Sequence, residues 1–419
     1  MRTVLLSLTL AVLAAGAGGC TAVLGGGRPA APVLVGADLA LTGTGSPLGT
    51  VFGNALRLRA AQLNRQGLLD GRRLELRLRD NRSDPQVAAA NLAELAADPA
   101  VTAIVSGACG PCAAGAAARL DEHRTSTISL AAGDQVVEPV GQRRHLFQLG
   151  PRAGDDADLL ATGLARAGAG TVGLVTTADA GYPGGGYGRA GLREMTAAAD
   201  RTGLQIVLHE QVTVADPASA VAAAEAIARW RPDPPPGQPF SPPPGEASGP
   251  DAVVIWTPPA EAAQLATGLR QAGYPGELHL DAIAAGQLHL PDAALSGATL
   301  VFTDTPVADQ LIAATPAAAA RQTWFRDYLA QYGGYHAQAS WAADAISLIV
   351  DAIRRTDLAN PAGRRHPVDR DTLRDKLEST RRLDGLTGLI RYTADQHSGL
   401  HPGSLTTLTA SAGRWHLTR

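Results

Sequence analysis

The chain has 419 residues, of which 45% are hydrophobic and 18% charged, and its formal net charge is −3 at pH 7. That length allows two or three domains of roughly 100–200 residues each. The near-neutral balance fits a soluble globular protein and excludes the basic footprint that a nucleic-acid partner requires.

The N-terminus reads as an export signal. Arg2 supplies a charge, residues 4–15 an apolar core, and Ala17, Gly18, Gly19 and Cys20 a small-residue cleavage site. The core is too short to span a bilayer as a stable helix, so residues 1–19 are a signal peptide. Small residues followed by a cysteine resemble a bacterial lipobox. The resemblance implies that Cys20 becomes the lipidated first residue, anchored on the outer side of the cytoplasmic membrane. The other reading is an ordinary secretory signal with an incidental cysteine. Residues 20–31, with several Gly and Pro, follow as a flexible tether.

Residues 33–39 form an apolar run of strand length, and 41–49 a loop. Residues 51–65 predict an amphipathic helix, with Phe52, Leu56, Ala60 and Leu63 at helical spacing and Gly67 ending it. A strand over 74–78 alternates with Glu75, Arg77 and Arg79, and residues 80–85 close this strand–loop–helix–strand unit. The pattern then repeats. Helices are predicted over 87–97, 113–123, 155–167, 187–202, 218–230 and 260–272. Strands are predicted over 101–105, 125–130, 145–149, 171–176, 204–210, 252–256 and 278–281. Residues 232–250 carry nine prolines with Gly and Ser and read as an exposed surface insertion. Residues 299–302 lead back to the first lobe, where helices are expected over 317–332, 340–356 and 371–380. Strands over 389–392 and 405–409 are expected to return to the second.

The order and wording of these pieces resemble one family, the type I periplasmic binding proteins, in the branch of the leucine/isoleucine/valine-binding proteins of ABC importers. The resemblance rests on Leu41, Thr42 and Gly43, on the helix end from Asn64 to Gly71, and on Asp80 with Asp84 and Pro85. It implies an α/β fold of two doubly wound parallel-sheet lobes with a ligand cleft between them. Residues 32–150 and 304–384 would form lobe 1, and residues 151–303 and 385–419 lobe 2. Strand ends facing one cleft are where such sheets collect ligands.

Cys109-Gly110-Pro111-Cys112 is the thioredoxin-type tetrapeptide, placed between a strand and a helix whose N-terminus would lower a thiol pKa. It lies inside a longer strand–helix series, with no Trp before it, and exported cysteines usually pair. A structural disulfide, a redox site and free thiols are the three readings. No metal cluster accompanies it in sequence. Residues 186–191 match G-x-G-x-x-G, but the glycines stand well beyond the strand end, so a dinucleotide is set aside. No G-x-S-x-G elbow or H-E-x-x-H is present, and no catalytic residue or cofactor is expected. Trp324, Phe325, Tyr328 and Trp341 read as core.

Within the family resemblance, the Cys109 loop lies in the ligand cleft. The cysteine that pairs with it in relatives matches Ser83 here, and Cys112 offers a local replacement. A first-lobe serine matches Gly110, and the next loop, Ala131-Ala132-Gly133, has no hydroxyl. Leu48 stands where relatives carry an aromatic, and Pro258 marks a second lost aromatic. Tyr187 is retained, and Asp281 is the candidate acid for a ligand ammonium. The expected ligand-binding set is therefore Ser46, Leu48, Cys109, Gly110, Ala132, Gly133, Tyr187, Pro258 and Asp281. The implied function is capture of a small amino-acid-like solute by hinge closure of a monomer, with delivery to separate ABC permease and ATPase subunits. An envelope sensor or scaffold on the same fold is the rival, and a thiol oxidoreductase the second.

Overall fold

The computed structural model describes residues 31–178, 186–232, 249–286, 293–359 and 367–418. The signal segment, Cys20 and most of the tether lie outside the described residues, as do residues 233–248 of the proline-rich stretch.

The chain begins with β1 (Val33–Leu39), α1 (Ser46–Gln66), β2 (Leu74–Asp80), α2 (Pro85–Ala97), β3 (Val101–Ser106), α3 (Gly110–Glu122), β4 (Thr127–Ser129) and β5 (Leu146–Gln148). These strands form one parallel sheet in the order β2-β1-β3-β4-β5. Strands covered by helices on both faces must be apolar throughout, and every residue of β3 is buried. Local chemistry sets the element ends. Gly67 takes a left-handed φ of 65° and donates its N–H to Asn64 O, which stops α1. The Asn64 side chain then donates to Leu74 O at 2.9 Å and accepts from Leu74 N at 2.8 Å, which binds the end of α1 to the start of β2. Asp84 caps α2 by accepting from Gln86 N and Val87 N.

The second lobe comprises α4 (Ala153–Ala167), β6 (Thr171–Thr177), α5 (Tyr187–Thr202), β7 (Gln205–Val212), α6 (Pro217–Arg229), β8 (Ala252–Trp256), α7 (Pro259–Gln271), β9 (Glu277–Leu280) and β10 (Thr299–Phe302). Trp230 O accepts from Gly249 N at 3.1 Å, so both flanks of the proline-rich insertion meet and α6 still leads into β8. Helices α8 (Pro316–Tyr332), α9 (Ala339–Ala359) and α10 (Arg370–Glu378) return to the first lobe, where α9 packs on α1 and α10 packs on α9. The ribbon β11 (Leu383–Asp384) and β12 (Leu389–Ile390) follows, and β13 (Thr406–Ser411) with β14 (Arg414–Leu417) ends the chain. Trp324, Phe325, Tyr328 and Trp341 are buried in the core, as expected.

Residues 299–302 form β10, the last strand of the second lobe before the chain leaves it, in a sheet whose order is β14-β13-β10-β9-β8-β6-β7. Two expectations change. That sheet is not wholly parallel, because β13 and β14 close its edge as an antiparallel pair. The return expected from residue 385 comes later. Residues 389–390 pair with 383–384, Ser398 bridges to Gln148 on the first sheet, and Tyr392 OH donates to Gln148 O at 3.0 Å. Only at Thr406 does the chain join the second sheet.

A cleft between the lobes

The carboxyl ends of both sheets face each other across a cavity of about 450 Å³. That volume is ordinary for a small-ligand site, which spans roughly 300–1,000 Å³. Its first-lobe wall includes Leu48, Phe52, Ala88 and the Cys109–Cys112 pair. Its second-lobe wall includes Pro258, Glu261, Ile283 and Leu295. His336 and Gln338, from the segment joining α8 to α9, close the back.

Four helix N-termini reach this cavity, those of α1, α2, α3 and α7. Each has a proline at its first or second position: Pro47, Pro85, Pro111 and Pro259. Proline suits that place because its missing N–H would have no intrahelical partner. It also removes a donor that a ligand would otherwise find. Cys109 and Cys112 are joined by a disulfide with Cα atoms 5.3 Å apart, and Cys109 Sγ accepts from Cys112 N at 3.2 Å. Ser83, matched above to the lost partner cysteine, ties the opening loop instead. Its Oγ accepts from Gly45 N and donates to Thr42 O, both at 2.9 Å.

Behind the cavity, Tyr187 OH donates to Asp281 Oδ2, and Ile283 N donates to the same oxygen at 3.1 Å. Asp156 Oδ2 accepts from Ala282 N at 2.8 Å. Both carboxylates are buried, and Oδ1 of each has no hydrogen bond among the described residues. Burial pushes Asp281 up to about 7 and raises Asp156 well above the usual carboxylate range, with the like charge of Asp281 adding to the latter. Burial also pushes the His336 imidazole down to about 4, partly offset by the neighbouring Gln338 amide, so His336 is neutral at pH 7.

Of the expected residues, Leu48, Cys109 and Pro258 line the cavity. Ser46 begins α1 between two lining residues, Gly45 and Pro47. Gly110 is turned toward Val136; a Cβ there would stand 3.0 Å from its methyl. Ala132, Gly133, Tyr187 and Asp281 are not part of the wall. Gly133 has φ +101°, and a Cβ on it would lie 2.6 Å from the Gln135 amide; one on Gly186, in the second lobe, would lie 3.1 Å from it. Gln135 thus occupies the space between those two glycines. Sequence reasoning missed Phe52, Glu261, Ile283, His336 and Gln338 as lining residues. Phe52 had a signal, being one helical turn after Leu48. His336 and Gln338, in a linker, had none.

A family model described as "Periplasmic binding protein" matches residues 32–232 and 244–414. No curated protein matches by sequence. Among solved structures, an extracellular ligand-binding receptor from Rhodopseudomonas palustris is 20% identical with a TM-score of 0.74, covering 92% of this chain and 99% of that one. A leucine-binding protein from Thermotoga maritima is 18% identical with a TM-score of 0.70, covering 92% and 98%. An ABC transporter substrate-binding protein from Desulfitobacterium hafniense, in complex with Leu, is 17% identical with a TM-score of 0.69, covering 92% and 100%. At these identities the likeness is one of fold.

Proposed function

We propose that this chain, which belongs to the periplasmic binding protein family, captures a small solute between its two lobes and delivers it to ABC permease and ATPase partners. The observation that carries this reading is the cavity whose walls come from both sheets and from the segment joining α8 to α9. A solute touching both lobes stabilises a closed form by its differential affinity for that form. The chain crosses between the lobes three times, near residues 150, 303 and 405, and those crossings serve as the hinge. The function is binding and not catalysis, and the unit is a monomer. Two of the similar structures described above are transporter or leucine-binding components, which supports a transport role.

A thermal-shift screen of the purified chain against a broad metabolite panel tests this. A solute at 100 times its Kd should add about 2.7 kcal/mol of stability. A panel without any shift, together with a tight protein partner recovered from the envelope, would favour the sensor or scaffold role.

The same reading places the chain on the outer face of the cytoplasmic membrane, held by a lipid on Cys20 through the tether 20–31. Cys20→Ala should release the protein from the membrane fraction or leave it unprocessed, as read by fractionation and intact mass. Unchanged attachment and processing would remove the anchor.

A further inference from the structure

Resting on the solute-binding reading above, we infer that the cavity takes a mainly apolar molecule that bears an N–H or O–H donor and lacks a carboxylate. The first ground is charge. No Lys or Arg lines the cavity among the described residues, whereas Asp84 and Glu261 do. A carboxylate entering here would be desolvated beside two others with no cation to offset it, a costly arrangement.

The second ground is the state of the backbone donors. Helix N-termini attract anions through free N–H groups and the helix dipole. At α2 and α3 those groups are already answered by the chain itself, whereas α1 and α7 carry no side-chain cap. Prolines replace a donor at all four N-termini. The Asp84 carboxylate takes the N–H groups of Gln86 and Val87, and Cys109 Sγ takes that of Cys112. Glu261 puts a buried carboxylate into the first turn of α7, where it accepts from Ala215 N at 3.2 Å.

The third ground is an incompletely satisfied acceptor. Gln338 is 1% exposed and lines the cavity. Its Nε2 donates to Ile283 O at 2.9 Å and Ala282 O at 3.4 Å, which fixes the orientation of the amide. Its Oε1 meets the His336 imidazole, but neither that oxygen nor His336 Nδ1 makes a hydrogen bond of standard geometry among the described residues. Buried polar atoms left unpaired are costly, so a donor on the solute gains a full partner there. Leu48, Phe52, Ile283 and Leu295 cover the rest of such a molecule with apolar surface. The Asp281 carboxylate, the expected partner of an amino-acid ammonium, is engaged by Tyr187 and Ile283, and Gln135 lies between Gly133 and Gly186.

Calorimetry on the full chain with leucine, leucinamide, isoamylamine and isoamyl alcohol tests the inference, since these share one apolar body and differ in the polar end. At least one of the last three should bind, with leucine about 100-fold weaker, the scale of burying an unpaired charge. Leu48→Arg, which puts a cation into the wall, should narrow or reverse that order. Leucine binding as tightly as leucinamide would overturn the inference and leave the solute-binding reading standing. If none of the four binds, the metabolite panel decides: a ligand without a carboxylate supports the inference, a carboxylate ligand refutes it, and no ligand at all refutes both.

Discussion

Asp344→Ala is expected to lower the stability of the protein by about 3–5 kcal/mol, the cost of deleting one partner from a buried charged network. Asp344 lies on α9 and is 1% exposed. Its carboxylate accepts from Leu386 N and Thr387 N, each at 2.8 Å, and from Thr387 Oγ1 at 2.6 Å. Burial raises its pKa, while these donors, and Arg59 nearby, act the other way. Removing the carboxylate leaves three buried donors without a partner and frees the turn between β11 and β12. That turn is built close: a Cβ on Gly385 would lie 2.6 Å from Asp344 Oδ2. Asp344→Asn keeps one acceptor and should cost about half as much, since a hydrogen bond to a charged group contributes roughly twice a neutral one. Urea unfolding reads both, through a shifted midpoint at unchanged slope. A loss below about 1 kcal/mol for the alanine variant, the net value of one ordinary hydrogen bond, would mean that the carboxylate does not hold this turn.

The second large effect is on pH dependence. The buried aspartates should contribute about 2–4 kcal/mol more stability at pH 5 than at pH 8, since each tenfold gain in proton affinity on folding is worth ~1.4 kcal/mol, against an opposite contribution from His209, His279, His336 and His397, whose pKa values burial lowers. Asp281 is held up at about 7 by burial, against the opposing hydrogen bonds from Tyr187 and Ile283. Between the ordinary carboxylate range and pH 7 the folded state therefore keeps a proton that the unfolded chain has released. Stability is full below that ordinary range and is lost as pH rises through 7. Asp156, raised by burial and by the Asp281 charge, acts with the same sign, as do Asp38, Asp304 and Asp344, all raised by burial. Asp281→Asn should remove much of the slope, because Tyr187 OH still finds an oxygen to donate to and no charge forms. Unfolding at several pH values for both proteins decides. A variant with the same slope as the parent would contradict this account.

These two sites also separate what was legible in the chain from what was not. The repeating strand, loop and helix of each lobe could be read because their signals are local. An apolar, β-branched run of five residues such as 252–256, following a proline-rich stretch, reads as a buried strand, and Gly67 or Asp84-Pro85 marks a helix end by its own backbone chemistry. Boundaries slipped where a signal was mixed. The expected loop 41–49 hid the start of α1, because Ser46 and Pro47 read as turn residues but stand at the first positions of the helix. The terminal crossing slipped because β11 and β12 have two residues each, too few to show any period.

In the site, Leu48, Cys109 and Pro258 were reached through the family resemblance, which places the loops after β1, β3 and β8 at the cleft, where such sheets collect ligands. What lay beyond reach were contacts between distant stretches. Tyr187 and Asp281 are separated by 94 positions, and their hydrogen bond turned an expected ligand pair into a pair with each other. Gln135 reached the gap between Gly133 and Gly186 through two glycines that lack a Cβ. Gln338 became a cavity wall only because α8 and α9 return from the other lobe. Local periodicity and capping chemistry are written residue by residue, so the sequence alone determined the alternating strands and helices, and the family resemblance implied their division into two lobes. Which polar atoms keep a free valence in the cleft depends on partners brought together from both lobes, so only the tertiary structure decided it.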